Sequence, residues 1–556
     1  MPRLQPASYA EFMAAYQAPA ASGFNFARDI LDVLARAEPS RPAMVHIDPQ
    51  GTRRDLDFDF FRRASNRLAR GLMDAGLARG DRVMLMLNRR VEFWVALLAL
   101  HKIGAVAVPL PSMLTVKDIA YRLGAAQLRG AVVEAALAAR VDEARAGHPE
   151  LRVLAKAGPG PASSAWLDFA ALGPGADEDE GWRDRAAGGA DPSLIFFSSG
   201  TNGEPKMVEH DHAYPLGHVV TGLYWHDLRP GDLHLTLADT GWGKALWGKI
   251  YGQWMAGATV FVHDYRGRFE PEHLLQLMAK HRVTTFCAPP TTFRLLIRHD
   301  LRKYDLSALR HCTSAGELLN ASVFKVWLEG TGCALFEGYG QTETTLQIAT
   351  LPFMTPKPGS MGRPMPDWPV RLLDEAGQPV PLGEPGEICI DLARGRPPGL
   401  FTGYVNDPEL TAKVMAGGVY HTGDKAWQDE EGYLWFLGRN DDIIKSSGYR
   451  IGPFEVESAL LTHPAVLESA VTGVPDELRG QTVKASVVLA PGIQPSDALA
   501  HELQQHVRSI TAPYKYPRII EFVSELPKTI SGKIRRGQIR EHDAAQRPSP
   551  RKSHDL

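Results

Sequence analysis

Ser198-Ser199-Gly200-Thr201-Asn202-Gly203-Glu204-Pro205-Lys206 follows directly on the apolar run Leu194 to Phe197. A strand that empties into glycines, hydroxyls and a lysine offers backbone N–H groups, side-chain donors and a cation to a polyphosphate. The pattern is not the Walker type, which ends in Gly-Lys-Ser/Thr where this chain has Pro205, Lys206 and Met207. Taken alone, the segment fits a phosphate cradle and an ordinary strand-to-loop turn equally well. Gly338-Tyr339-Gly340-Gln341-Thr342-Glu343 adds glycines that admit a ligand to the backbone and a ring for stacking on a base. Its Thr342 offers a hydroxyl for phosphate and its Glu343 a hard oxygen for Mg2+. In His421-Thr422-Gly423-Asp424 a carboxylate can accept from both ribose hydroxyls. Arg439 follows in Gly438-Arg439-Asn440-Asp441-Asp442, and Lys533 closes Pro527-Lys528-Thr529-Ile530-Ser531-Gly532-Lys533. Singly, each has a plainer reading: Asp424 as a turn residue, Arg439 as a surface ion pair, Lys533 as a solvated cation. Their joint order is the specific signal.

The elements that must position these residues are α/β in pattern. Val83 to Leu87 is apolar, Glu92 to Lys102 is helix-forming, and Ala105 to Pro109 is apolar again after Gly104, a βαβ signature that predicts a parallel sheet. The alternation recurs around Val260 to Val262, Leu274 to Met278, Thr284 to Cys287 and Phe324 to Leu328, so a layered α/β body is expected. From Pro356 the chain turns Gly/Pro-rich and strand-like, with a turn at Glu384-Pro385-Gly386-Glu387, which predicts a small β-rich subdomain. Near the C-terminus, Pro453 opens a helix, Ala485 to Leu489 forms a strand, and Leu499, Leu503, Val507 and Ile510 mark one helical face. A separate α+β domain is expected there. The tail, residues 546–556, has no apolar periodicity and is expected to be disordered.

The 556 residues include 61 Lys+Arg and 64 Asp+Glu, for a net charge of -3. With no sustained basic block, charge gives no footprint for nucleic acid or an anionic membrane. The longest stretch without Asp, Glu, Lys or Arg, Phe12 to Ala27, is broken by Pro19 and Gly23 and is shorter than the about 18–20 apolar residues of a membrane helix. No basic-then-apolar signal pattern opens the chain, so a cytoplasmic location is expected. Cys287, Cys312, Cys333 and Cys389 match neither a zinc nor a dithiol spacing and are expected as buried free thiols. The 19 histidines, including His210 and His212, are expected at the surface.

In the order of these segments the chain resembles the AMP-forming acyl-CoA synthetases, the adenylate-forming enzymes that also include firefly luciferase and peptide-synthetase adenylation domains. The resemblance runs from about Leu31 to Arg540. It is strongest to the medium-chain group, through Ala238-Asp239-Thr240-Gly241-Trp242, Ser446-Ser447-Gly448-Tyr449-Arg450-Ile451-Gly452-Pro453 and Thr511-Ala512-Pro513-Tyr514-Lys515-Tyr516-Pro517. It implies two steps with ATP, Mg2+ and CoA. A carboxylate attacks the α-phosphate of ATP to give acyl-AMP and pyrophosphate, and the CoA thiol then takes the acyl group and releases AMP.

The resemblance also implies roles. Ser198, Ser199, Gly200, Thr201, Asn202, Gly203 and Lys206 would hold phosphates, Ala315, Gly316, Glu317 and Tyr339 would bracket adenine, and Glu337, Gly338, Gly340 and Gln341 would also belong to the ATP site. Thr342 and Glu343 would serve phosphate and Mg2+, Asp424 and Arg439 the ribose, and Lys533 the reacting carboxylate and α-phosphate. Trp242, Gly243, Lys244, Ala315 and Gly340 would line the acyl site, and Ser447, Gly448, Tyr449, Arg450, Arg479 and Arg508 would meet CoA. The implied layout is a large N-terminal domain at 1–438, including the β-rich subdomain, a hinge at 439–441 centred on Asp441, and a small mobile domain at 442–545. Two departures stand out: Asn202 replaces the usual Ser or Thr, and Glu204 brings a negative charge near the phosphates.

Acetyl-CoA synthetases of the family carry a pocket-closing Trp where this chain has Gly340. The expectation is therefore an open pocket for short, branched or medium-chain acids. Lys244 either reaches the substrate carboxylate or points outward with only its methylenes at the site. Two rivals remain: an enzyme that loads a separate carrier protein, since too little chain follows Lys533 for a fused one, and a nucleotide sensor without turnover. The sensor would be expected to lack Glu343 or Lys533, and both are present.

Overall fold

The apolar segments from Arg82 to Pro109 fold as a parallel βαβ unit in the computed structural model. The model describes residues 3–160, 165–176, 187–198, 204–267, 269–317, 319–447, 449–476, 478–528 and 534–545. Strands Arg82–Met86 and Val106–Pro109 lie side by side and parallel. The helix between them, Val91–Ile103, is buried almost all round and stops at Gly104, whose φ of 71° is the left-handed turn that suits glycine. These strands sit inside an eight-stranded sheet that ends in Pro192–Ser198, Lys206–Asp211 and Gly403–Tyr404.

A nine-stranded sheet supplies the second layer. Its parallel centre runs through Leu335–Tyr339, His311–Ala315, Thr285–Ala288, Leu233–Thr236, Thr259–His263 and Pro42–Ile47. Phe293 and Trp327 pack on Phe286 of this sheet, all three with under 2% exposure, Phe293 and Trp327 meeting edge-on at 4.9 Å. In an open parallel sheet ligands collect beyond the carboxyl ends of strands, and Ala315 and Tyr339 stand at two such ends. Both sheets belong to one compact unit formed by Met1–Leu319, Val323–Pro369 and Asp391–Val419.

The second unit holds a four-stranded sheet, Val370–Leu373, Gly386–Asp391, Val419–Gln428 and Leu434–Arg439, and a five-stranded one. The latter comprises Tyr449–Ile451, Ile444–Ser446, Gly480–Leu489, Val466–Asp476 and Ile519–Phe522, with helices Pro453–Leu461 and Asp497–Ile510. By its contacts the β-rich segment Val370–Ile390 groups with Tyr420–Leu556. Phe436 meets Phe454 edge-on at 5.2 Å, and Gly452 lies so close to Leu437 that a Cβ would stand 2.2 Å from its carbonyl oxygen. On helix Asp497–Ile510, Leu503 and Val507 are fully buried, but Ile510 at the helix end is 51% exposed and does not extend the expected apolar face.

All four cysteines are buried and free. The histidines depart from expectation: His46, His101, His210, His212, His218, His226, His234 and His311 are buried, most of them within ring clusters or bonded to backbone carbonyls and threonines. Among the described residues no helix is long and apolar enough to cross a membrane.

Candidate active site

Ser198 and Lys206 face each other as register partners at the ends of two antiparallel strands, Pro192–Ser198 and Lys206–Asp211, that pair as a hairpin. Ser199, Gly200, Thr201, Asn202 and Gly203 lie outside the described residues. At the base of this hairpin, the Lys206 ammonium stands over the Tyr404 ring, 5.2 Å from its centre. The Tyr404 hydroxyl in turn donates to Glu343 Oε1 at 2.9 Å. Two segments far apart in sequence thus converge on Glu343, the expected Mg2+ ligand. Tyr404 pairs with Val208 in a two-residue strand, and that brevity left it without a sequence signal.

The Thr342–Glu343 backbone is fixed from both sides. The Phe401 N–H donates to the Glu343 carbonyl at 2.8 Å, and His210 Nε2 is 2.8 Å from the Thr342 carbonyl. Burial pushes the His210 pKa down to about 3, so the ring is neutral, and because a carbonyl only accepts, Nε2 carries the hydrogen. His210 is therefore not a surface histidine but a positioning residue. Gln341 N–H donates to Thr344 Oγ1 at 2.9 Å and closes the turn that presents Thr342.

The glycines of this segment answer to packing. A Cβ on Gly338 would stand 2.7 Å from Trp225 and Leu346, and one on Gly340 would stand 2.4 Å from both the Thr345 carbonyl and the Trp247 ring. The expectation that Gly340 leaves an open pocket is therefore corrected: the indole of Trp247 already fills the space a side chain at 340 would take. Trp247 rides on helix Gly243–Lys249 with Lys244, while Trp242 caps that helix. Gly248 lets the helix approach the strand, since a Cβ there would meet Thr236 at 2.2 Å. The Lys244 ammonium turns inward and donates to the Ala315 carbonyl, beside Gly316, whose φ is 100°. Ala315 pairs with Gly338, so the expected acyl and adenine residues share one edge of the sheet.

Glu317 and Glu337 behave differently. Glu317 Oε2 accepts from Thr291 Oγ1 at 2.6 Å and from Arg294 at 3.1 Å. Glu337 is buried, and its carboxyl accepts from the Gly359 N–H at 2.8 Å and the Leu319 N–H at 3.2 Å. Burial pushes its pKa up to about 8. The side chain thus ties neighbouring loops to the strand below Tyr339 and does not face outward to a nucleotide.

In the second unit, Asp424 and Arg439 are register partners on adjacent strands, and the Asp424 N–H donates to Thr422 Oγ1 at 3.1 Å. Arg439 Nε is 3.6 Å from the Asp441 carboxylate, with both side chains about half exposed. Asp442, by contrast, binds Arg540 at 2.5 Å. Lys533 lies outside the described residues; among its described neighbours Lys528 and Ile534 form an antiparallel bridge, and the Arg535 N–H donates to the Pro527 carbonyl at 2.8 Å.

Of the expected CoA residues, Ser447 holds a φ of 51° and its N–H donates to the Arg479 carbonyl at 2.9 Å. Tyr449 is half exposed and stacks on Tyr514 at 4.1 Å. Arg508 lies over Tyr516, 5.8 Å from its centre. Gly448 and the Arg450 side chain lie outside the description.

Comparison with known proteins gives the family. Residues 31–405 match the AMP-binding enzyme family and residues 455–533 the AMP-binding enzyme C-terminal domain. The chain is 42% identical to mouse mitochondrial acyl-coenzyme A synthetase ACSM3 over 533 residues, 94% of this chain and 90% of that one. It is 43% identical to human mitochondrial ACSM5 over 534 residues, with the same coverage. The crystal structure of the anthranilate CoA ligase AuaEII with anthranoyl-AMP superposes with a TM-score of 0.83 at 30% identity, covering 96% of this chain and 99% of that one. The chain belongs to the AMP-binding enzyme family and is an acyl-CoA synthetase that uses ATP to activate a carboxylic acid and passes the acyl group to CoA.

Proposed function

We propose that this synthetase acts on short, branched or medium-chain acids and that Trp247 sets the depth of its acyl site. The observation that carries this reading is the contact of the Trp247 ring with the position a Gly340 side chain would take. An indole reaching the site from helix Gly243–Lys249 limits its length, while Ala315 leaves width for a branch. Lys244, through the Ala315 carbonyl, fixes the edge between acyl group and adenylate.

In the same reading the hairpin from Ser198 to Lys206 holds the β- and γ-phosphates. Glu343, steadied by Tyr404, binds Mg2+, which screens charge on the phosphates. Gly316, Glu317 and Tyr339 border adenine, and Asp424 and Arg439 hold the ribose. Lys533 stabilises the charge that builds as the carboxylate attacks the α-phosphate. Rotation about Asp441 then withdraws Lys533 and brings Gly448 to the CoA arm. Loading of a carrier protein is the lesser alternative.

The test is thioester formation with ATP, Mg2+ and CoA across acetate, butyrate, 2-methylbutyrate, hexanoate, octanoate, benzoate and palmitate. A peak between butyrate and octanoate is expected, and a peak at palmitate overturns the reading. Cell fractionation separates the cytoplasmic location expected from sequence from the mitochondrial one in the relatives' names.

A further inference from the structure

Glu387 and Cys389 alternate along the strand Gly386–Asp391 and project from one face of the sheet. His421 lies on the neighbouring strand Val419–Gln428. Cys389 Sγ is 3.6 Å from His421 Nδ1, and that nitrogen is 3.2 Å from Glu387 Oε2. One ligand atom from each of the three residues lies within 4.8 Å of the others. A tetrahedral zinc ion with bonds of about 2.3 Å to sulfur and about 2.1 Å to nitrogen and oxygen separates its donor atoms by roughly 3.4–3.6 Å. The two measured spacings fall close to those edges.

We propose that Glu387, Cys389 and His421 form a binding site for Zn2+ or a similarly soft divalent cation, with water as the fourth ligand, and that its occupation slows adenylation. A thiolate and an imidazole select such a cation over Mg2+, so the site is distinct in kind from the one at Glu343. His421 and Glu387 keep a third of their side chain or less exposed, enough for an ion to enter and too little for bulk water to compete freely. The Cys389 thiol, pushed up to about 12 by burial and by the charge of Glu387, carries its proton at neutral pH. Binding therefore forms a sulfur–metal bond and releases one thiol proton to solvent.

The link to adenylation is short. Glu387 Oε1 accepts from the Gly423 N–H at 3.0 Å, and Thr422 Oγ1 donates to the Ile388 carbonyl at 2.7 Å. A cation held by Glu387 and His421 ties down both sides of the strand segment that carries Asp424, through the Gly423 N–H and along the chain from His421. This coupling rests on the proposed role of Asp424 at the ribose; the binding site itself does not.

The test uses the full chain, stripped by a chelator, reduced, and titrated with Co2+ and then Zn2+. One equivalent of Co2+ is expected, with a thiolate-to-cobalt charge-transfer band and tetrahedral d–d bands, all bleached by Zn2+ and missing in Cys389→Ala. A wild-type spectrum without the charge-transfer band overturns the site, and that result needs no variant. Pyrophosphate release from octanoate and ATP at saturating Mg2+ tests the coupling. One equivalent of Zn2+ is expected to slow the wild type about tenfold and Cys389→Ala less than twofold. Equal inhibition of both overturns the coupling while the cobalt spectrum still judges the site. No pyrophosphate release from the untreated wild type counts against the proposed function instead.

Discussion

The two units hold their expected site residues in opposite ways. In the first, the segment from Glu337 to Gln347 is locked: Thr344 and Gln347 are fully buried, and the carbonyls of Thr342 and Glu343 each accept a bond from a distant residue. In the second, Arg439 and Tyr449 are half exposed and Ser447 sits in a left-handed turn. The difference fits a division of labour in which a packed sheet edge fixes geometry and exposed loops carry charge. Substitutions in the first unit should therefore alter which substrate fits, and substitutions in the second which step runs.

The sharpest way to break that comparison is Lys533→Ala. Loss of a preorganised cation should lower acyl-AMP formation by ~10²-fold or more and spare thioester formation from supplied acyl-AMP. Equal loss in both half-reactions, measured separately, would erase the distinction between the units. The next largest effect is expected on the other side, at Trp247→Ala. Removing the indole should shift the preferred acid toward longer chains, with an about tenfold swing in the octanoate-to-palmitate ratio of kcat/KM. An unchanged profile would remove Trp247 from the acyl site.

Tyr404→Phe deletes the hydroxyl that donates to Glu343 and leaves the ring under Lys206. A hydrogen bond to a charged group contributes about 1.5–3 kcal/mol, part of which water restores. A rise of about fivefold in the Mg2+ concentration for half-maximal rate is expected, with little change in the acid preference. A shifted acid preference with normal Mg2+ dependence would place Tyr404 elsewhere in the mechanism.

What the sequence made legible follows from the range of the interactions. The βαβ unit from Arg82 to Pro109, the strand before Ser198 and the helix opened by Pro453 were plain because their signals are local: apolar period, a capping glycine, a proline. The ordered motifs were legible for the same reason. Tyr404, His210 and Trp247 were not, because each acts through a partner more than 60 residues away or across the sheet edge. The histidines were misplaced because imidazole suits water and a buried hydrogen bond alike, and only the fold decides. Cys389 matched no ligand spacing because its two neighbours come from one strand at i−2 and from an adjacent strand 32 residues on.

The smallest effect lies beneath the first unit's site. Glu337, raised to about 8 by burial from an ordinary 4.5, holds its proton in the folded chain at pH values where the unfolded chain has lost it. Its contribution to stability is therefore complete below about pH 4.5 and falls as pH rises toward 8, beyond which it changes no further. Glu337→Gln keeps a neutral oxygen for the Gly359 N–H and has no proton to lose. Its melting temperature should fall less than the wild type's between pH 5.5 and 8.5, by roughly 2 °C. Parallel curves would mean that the carboxyl titrates normally and that the strand under Tyr339 is wetter than its packing implies, which would narrow the contrast between the two units.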